Sequence, residues 1–278
     1  MGKPTFREEH MDGLIGGFVG VQLLRTVNST GYVAAMPHGV PTAYQNKSKL
    51  EQLFGDRVWE DVRGKVVVDF GCGEGREVVE LAEHGARRVI GLETYPPWSA
   101  KAIARIANAG VADRCVVADE WTAADGLADV IISVDSFEHY DNPVAILEAM
   151  HHMLKPDGFV LASFGPPWFH PYGGHLFSVF PWAHLVFSEY AMVTWRTGLP
   201  GKEPKTSLLD AGINRMTVAR FERLVAGSRF EFCTFEAIPI WRRRWPSWAR
   251  EFTTSIVRCR LERRVCVGEQ TRTARATL

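Results

Sequence analysis

The sequence carries no excess of either charge, because 32 lysines and arginines balance 32 aspartates and glutamates over 278 residues. A protein that binds polyanions usually carries a clustered positive excess, which draws it to phosphate groups. The neutral balance therefore argues against nucleic acid or an anionic membrane surface as the general partner of this chain.

Cysteine is scarce and irregularly placed. The chain has five cysteines, an odd number, and no two of them form a Cys-x-x-Cys pair. A disulfide framework needs paired cysteines, and a structural zinc site needs closely spaced ones. The sequence therefore predicts reduced thiols in a cytoplasmic protein.

Long apolar runs are missing too. The apolar stretch at residues 14–24 is shorter than the roughly 20 residues that a membrane-spanning helix needs. Asp12 precedes it and the charges before it are mixed, which argues against a signal peptide. We expect a packed helix here and no membrane partner.

The most informative stretch of the chain is Val66–Gly75. It opens with three valines, a run typical of a strand that is buried on both faces of a parallel sheet. Asp69 follows, and then Gly71, Gly73 and Gly75 lead into a helical pattern. Glycines in a strand-to-helix turn permit a positive φ and let a ligand approach the backbone closely. Open α/β sheets bind their ligands at this carboxyl end of the strands.

The spacing within this loop distinguishes between ligands. A dinucleotide-binding fold uses Gly-x-Gly-x-x-Gly, with a helix N-terminus facing a pyrophosphate. Here the pattern is Asp-x-Gly-x-Gly-x-Gly, whose carboxylate would repel a diphosphate and suits a cationic amine. The pattern resembles the first motif of class I S-adenosylmethionine (SAM) methyltransferases, whose acidic, glycine-rich loop holds the methionine part of SAM. A tight turn without a ligand is the alternative.

Acidic residues also end the next two predicted strands, at residues 88–93 and 115–119. Glu93 can accept two hydrogen bonds from a ribose diol. The resemblance implies that Asp119 lies near the adenine amino group and that Trp121 can stack on the ring. The resemblance assigns to SAM binding the following residues: Asp69, Gly71, Cys72, Gly73, Gly75, Glu93, Thr94, Asp119, Glu120, Trp121 and Val134.

Strands and helices alternate up to residue 164, which predicts a doubly wound α/β sheet. We predict a helix around residues 50–59, a strand at 129–134, a helix that Asp141 and Pro143 open, a turn at 155–158 and a strand at 159–164. A helix at 217–226 and alternating segments at 230–235 and 255–262 complete the pattern. The class I resemblance implies a Rossmann-like, mostly parallel seven-stranded sheet with an antiparallel final strand.

We predict four regions: a helical lid at residues 1–62, a SAM-binding core at 63–164, a cap insertion at 165–214, and a segment at 215–278 that completes the sheet. In the family the N-terminal part commonly covers the cofactor, and the candidates to line the lid are Tyr32, Met36, His38 and Tyr44.

Nine aromatic residues lie between Trp168 and Trp195, a far higher density than the chain average of 11%. These rings must be buried, and the segment emerges at the ligand-binding edge of the sheet. We therefore interpret residues 165–214 as an aromatic substrate cap with an apolar pocket. A partner or dimer surface is the alternative, so homo-oligomerisation stays open.

A second group of residues follows the predicted strand at 129–134. In a helical turn, Asp135, Glu138 and His139 would share one face, since they stand at positions i, i+3 and i+4. Two carboxylates and an imidazole suit a divalent metal. The motif resembles the acidic-x-x-Glu-His motif of ubiquinone-pathway O-methyltransferases and of small-RNA 2′-O-methyltransferases, except that Asp replaces the first Glu. These families imply magnesium or a similar ion (Mg, Mn or Fe), with a later histidine, His175 or alternatively His170.

A site without metal is the alternative interpretation of this motif. Glu138 would then be structural, and His139 would be a wall residue or a general base near neutral pH. The candidate catalytic residues are His139 and His175, of which the metal-free interpretation uses His139.

The sequence thus predicts an enzyme that moves the methyl group of SAM to a small apolar or aromatic acceptor, at oxygen, with a divalent metal as an optional second cofactor. Two other functions stay open. One is an RNA terminal-ribose methyltransferase, which the basic, aromatic segment at 241–248 favours and the absence of a recognisable RNA-binding module opposes. The other is a non-catalytic SAM-binding subunit.

Overall fold

The structure is a computed structural model that describes residues 13–29, 48–177, 180–199, 204–240 and 245–264. Four residues of the predicted lid, Tyr32, Met36, His38 and Tyr44, lie outside the described residues. The arginines at positions 242–244 lie outside them as well.

Seven strands form one sheet in the order β3-β2-β1-β4-β5-β7-β6. The first five run parallel, and β7 is antiparallel to both of its neighbours. The predicted mostly parallel sheet and its antiparallel final strand are confirmed. The strands are β1 (Val66–Phe70), β2 (Arg88–Leu92), β3 (Cys115–Ala118), β4 (Ala128–Val134), β5 (Leu154–Phe164), β6 (Phe230–Pro239) and β7 (Thr254–Arg263).

Helices cover both faces of the sheet. One apolar cluster contains side chains of α6 and α9, and a second, across the sheet, contains side chains of α2, α3, α4 and α5. This arrangement is doubly wound, as predicted. The helices are α1 (Gly17–Ser29), α2 (Lys49–Phe54), α3 (Arg57–Val62), α4 (Arg76–Glu83), α5 (Pro96–Asn108), α6 (Pro143–Met153), α7 (Ala183–Val186), α8 (Glu189–Thr197), α9 (Val218–Ala226) and α10 (Arg250–Thr253).

Among the residues that the structure describes, no helix combines the length and the apolar character that a bilayer span requires.

Three local predictions need correction. The helix expected around residues 50–59 is two helices, because Gly55 takes a positive φ of 75° and ends α2. The cap of α6 is Asn142, whose side chain accepts from the Ala145 N–H, while Pro143 stands in the first turn as predicted. Residues 155–158 are not a separate turn. They belong to β5, where the pairing with β4 is irregular.

Residues 165–214, which we call the cap, form an apolar core together with α1. The insertion buries Trp168, Phe177, Phe187 and Trp195 in a third cluster, together with Val21 and Leu24 of α1. Four of the nine rings are therefore buried, whereas Trp182 and Tyr190 are exposed, so the predicted burial of the rings is only partly confirmed. The N-terminal helix belongs structurally to the cap.

Close contact between α1 and the cap depends on glycines. A Cβ on Gly13 would lie 2.3 Å from the Phe187 carbonyl oxygen, and a Cβ on Gly20 would lie 2.9 Å from the Ala191 Cβ. Backbone hydrogen bonds between Ile15 and both Val186 and Ser188 hold the segment in place. Only glycine permits this approach.

We expect Gly20→Val to loosen α1 from the cap, because overpacking a tight contact costs about 1–3 kcal/mol. Val19→Ala is the matched control, since Val19 lies on the exposed side of the same helix. Thermal unfolding and limited proteolysis of residues 13–29 would measure the effect. Equal behaviour of the two variants would contradict the packing described here.

Candidate active site

The glycine-rich loop leaves one open position at the carboxyl edge of the sheet. Gly71, Gly73 and Gly75 all have positive φ. A Cβ on Gly71 would meet the Ser136 hydroxyl at 2.8 Å, and one on Gly75 would meet the Ala102 Cβ at 2.8 Å. A Cβ on Gly73 would meet nothing within 4 Å. The loop therefore has no room for a side chain at Gly71 or Gly75 and leaves space beside Gly73, where a ligand can reach the backbone.

Glu93 holds this loop from the end of β2. Its Oε2 accepts from the Gly73 N–H at 2.9 Å, and its Oε1 accepts from the Tyr95 N–H at 2.8 Å. The residue is buried, so its orientation is fixed by these two bonds. Each carboxylate oxygen has a second lone pair, which leaves acceptor capacity for a ribose diol beside the open loop.

Asp69 is a buried carboxyl group with an unused acceptor. Its Oδ2 has no hydrogen-bond partner among the described residues. Burial raises the pKa of Asp69 well above its ordinary value, the Glu77 carboxylate raises it further, and the Lys49 ammonium opposes both. A buried acceptor left without a partner is unfavourable, and a cationic ligand would satisfy it. These three features, the open glycine, the oriented Glu93 and the unpartnered Asp69, fit SAM.

The other residues assigned to SAM binding differ in placement. The Cys72 thiol packs in the core under Gly91, so only its backbone is part of the loop. Val134 is half-buried at the end of β4. The ring of Trp121 lies 6.1 Å from that of His152, at the C-terminal end of α6. The remaining four predicted residues are exposed: Thr94 follows β2, and Asp119, Glu120 and Trp121 follow β3.

The segment after β4 is not the helical turn that the metal hypothesis assumed. Asp135 has a positive φ of 51°, and α6 begins only at Pro143. The Asp135 carboxylate forms an ion pair with Lys49, with 2.7 Å between Oδ2 and Nζ. Because the segment is not a helical turn, the spacing of Asp135, Glu138 and His139 does not place their side chains on one face.

Glu138 points toward the start of the cap. Its Oε1 accepts from the Gly165 N–H at 3.1 Å, and its Oε2 has no partner among the described residues. Burial raises the pKa of Glu138 to about 8, and the Asp135 charge contributes to the rise.

Two imidazoles do come together, as the sequence predicted. The ring centroids of His139 and His175 are 5.2 Å apart. The His139 Nδ1 lies 2.5 Å from the Gly212 carbonyl oxygen, which only accepts, so Nδ1 carries the proton and Nε2 carries the lone pair. Burial lowers the pKa of His175 to about 3, and the His139 charge lowers it further, so His175 is neutral.

The predicted metal ligands do not assemble into one site. The described part of the chain contains no group of three or more His, Cys, Asp or Glu side chains arranged to hold a metal ion. Asp135 is paired with Lys49, Glu138 with the Gly165 N–H, and the alternative ligand His170 accepts from the Tyr172 N–H. The rings of His139 and His175 are adjacent, but no third ligand completes a group with them among the described residues, so the donor set does not fit the proposed metal.

Several residues of this site carry no motif in the sequence. Lys49 reaches Asp135 from α2. Tyr140 donates to the Phe70 carbonyl and bonds Ser133 beneath the glycine loop. Asn214 donates to two carbonyls of the segment after β4, the nearer in sequence 74 residues away. Contacts of such sequence separation leave no local pattern.

Comparison with known proteins agrees with this geometry. Residues 41–177 match the family model of a methyltransferase domain. The chain is 34% identical over 107 residues to the ubiquinone biosynthesis O-methyltransferase of Neisseria meningitidis serogroup C, covering 37% of this chain and 45% of the relative. For the protein of the same name from Pseudomonas paraeruginosa, identity is 33% over 112 residues, covering 38% and 48%. The chain thus matches about half the length of these curated relatives.

The solved structure of the [4+2]-cyclase SpnF superposes with a TM-score of 0.51 at 13% identity, over 91% of this chain and 100% of that one. A likeness at this identity concerns the fold alone. Together with the strand order and the glycine loop, the sequence matches make residues 41–177 of this chain similar to a methyltransferase domain.

Proposed function

We propose that this protein transfers the methyl group of SAM to a hydroxyl oxygen of a small apolar or aromatic acceptor. The observation that carries the proposal is the open backbone at Gly73 beside the oriented Glu93, at the same sheet edge as the His139–His175 pair. Two relatives that match this region are named as O-methyltransferases, which supports oxygen as the acceptor atom. When bound, SAM supplies an electrophilic methyl group on a sulfonium.

Three groups of the chain would hold the cofactor. Asp69 offers its unpartnered Oδ2 to the ammonium of the methionine part. Gly73 permits close approach to the loop, and Glu93 accepts from the ribose hydroxyls. Because methyl transfer is an in-line displacement, holding the reactants in alignment is a large part of catalysis.

The two histidines would prepare the acceptor. His139 keeps Nδ1 on the Gly212 carbonyl and presents Nε2 as a base for the hydroxyl proton. His175 is neutral and adjacent, so it can hydrogen-bond the acceptor without opposing a positive charge on His139. No step in this scheme uses a metal, because no group of three or more metal ligands is assembled among the described residues. The acceptor would enter beside the cap, residues 165–214.

Glu93→Ala should weaken SAM binding by about 1.5–3 kcal/mol, the usual cost of losing hydrogen bonds to a charged group. Titration calorimetry with SAM and with its demethylated product measures this. Glu83→Ala removes an exposed acid from α4 and serves as the control. Wild-type affinity in Glu93→Ala would contradict the ribose assignment, and binding of NAD in place of SAM would refute the proposed function.

SAM affinity should rise with pH above the ordinary titration range of a carboxyl group, because a cation binds the ionised form of Asp69 and burial raises the pKa of that group. Below this pKa the carboxyl is protonated and cannot pair with the ammonium, so binding must release a proton. Calorimetry in buffers of different ionisation enthalpy would detect the release. In Asp69→Asn the affinity should be weaker and flat with pH; an unchanged pH slope would exclude Asp69 as its source.

His139→Gln should lower turnover roughly 10²–10⁴-fold, the contribution typical of a general base, and should leave product affinity unchanged. The assay follows methyl transfer to a panel of phenols and catechols, with His152→Gln, an exposed histidine at the far end of α6, as the control. Methylation of a short RNA instead of the panel would favour the RNA alternative. Loss of activity after EDTA dialysis, restored by added metal, would contradict the metal-free scheme.

A further inference from the structure

Both ends of the cap insertion are fastened to the same short segment after β4. At the first end, the Gly165 N–H donates to the Glu138 Oε1 at 3.1 Å. At the other end, the Asn214 N–H donates to the Glu138 backbone carbonyl at 3.0 Å. Glu138 therefore bonds with its side chain where the insertion begins and with its backbone where the insertion ends.

The Asn214 side chain strengthens this connection. Its Nδ2 donates to the Phe137 carbonyl at 2.7 Å and to the Tyr140 carbonyl at 2.8 Å. Asn214 is buried, so water competes little for these donors. With its backbone bond, Asn214 satisfies carbonyls of three of the four residues from Phe137 to Tyr140.

The fastened segment carries His139, and the insertion carries His175. A third bond, from the His139 Nδ1 to the Gly212 carbonyl at 2.5 Å, joins the His139 ring to the insertion two residues before Asn214. The separation of 5.2 Å between the two rings thus depends on how the insertion is held at residues 165 and 214.

We propose that Glu138 and Asn214 act as positioning residues, a clamp that fixes the His139–His175 pair, and that Glu138 does this in place of ligating a metal. The inference rests on the proposed function, since it gives the pair a role in methyl transfer. The clamp itself is a statement about structure and can be tested without turnover.

Two isosteric substitutions have opposite consequences for the clamp. Glu138→Gln keeps an oxygen that accepts from the Gly165 N–H, whereas Glu138→Ala removes it. Asn214→Asp keeps the size of the side chain but replaces two donors by acceptors that face the Phe137 and Tyr140 carbonyls. A metal ligand would show a different order, because an amide cannot replace a ligating carboxylate.

Carbethoxylation by diethylpyrocarbonate, followed by peptide mass spectrometry, reports the exposure of each histidine in the full-length protein. We expect His175 to be labelled at least about fivefold faster in Asn214→Asp and in Glu138→Ala than in wild type, because the cap opens locally. In Glu138→Gln the labelling rate of His175 should stay within about twofold of the wild-type rate, because the amide oxygen still accepts from the Gly165 N–H and the cap stays closed. His152 is the internal reference for reagent concentration.

If His175 is labelled at the wild-type rate in both Asn214→Asp and Glu138→Ala, the proposed clamp is wrong. Equal acceleration in Glu138→Gln and Glu138→Ala would overturn the role given to the Gly165 bond. Calorimetry with the demethylated product identifies folded variants. If Asn214→Asp fails to fold, the Glu138 pair decides the question.

Turnover is then measured with any acceptor of the panel that the wild type methylates. Asn214→Asp should lower kcat per product-binding site at least about tenfold, because a misplaced catalytic group slows the reaction. The KM for SAM should change little. A merely stabilising contact would leave kcat per site unchanged, and that result would contradict the clamp. Failure of wild type to methylate any acceptor would refute the proposed function and leave the labelling result intact.

Discussion

Burying a carboxyl group is unfavourable unless hydrogen bonds or opposite charge offset the lost hydration. Among the described residues, three carboxyl groups are buried at one edge of the sheet, those of Asp69, Glu93 and Glu138. Glu93 receives two backbone N–H groups, Glu138 receives one, and Asp69 keeps an oxygen without a partner among the described residues. This order is consistent with the roles that we propose: Glu93 shapes the glycine loop, Glu138 fastens the cap, and Asp69 accepts from a cationic ligand.

The cap depends on this edge but is stabilised elsewhere. Its aromatic rings pack on one another and on α1, and glycines at 13 and 20 let the helix approach the cap backbone. A cap with its own core can keep its shape while its two ends determine where it sits over the sheet. Its bonds to the segment after β4 therefore matter more for the histidine pair than for folding of the cap.

Local sequence patterns predicted the alternating strands and helices, and the family resemblance implied the seven-stranded sheet with its antiparallel final strand. The valines before Asp69, the alternating glycines and the periodic helix at 217–226 each describe neighbours in the chain, and parallel strands place their carboxyl ends together by topology. The metal site was a worse prediction because it assumed a helical turn at residues 135–139. The positive φ of Asp135 breaks that turn, and Lys49, 86 positions earlier in the numbering, pairs with the carboxylate. The Asn214 side chain likewise contacts residues 74 and 77 positions away in the sequence.

A fold of this kind does not fix the reaction, and a [4+2]-cyclase with the same architecture illustrates the point. What would commit this chain to oxygen methylation is a base at the right distance from a SAM methyl group. An imidazole whose Nδ1 is held by a carbonyl has a fixed tautomer and a fixed direction for Nε2. Desolvation lowers the pKa of the half-buried His175 beside it to about 3, so a proton taken from the acceptor would reside on His139. In the proposed scheme the chemistry then depends on the carbonyl that the cap supplies at Gly212, and therefore on how the ends of the cap are held.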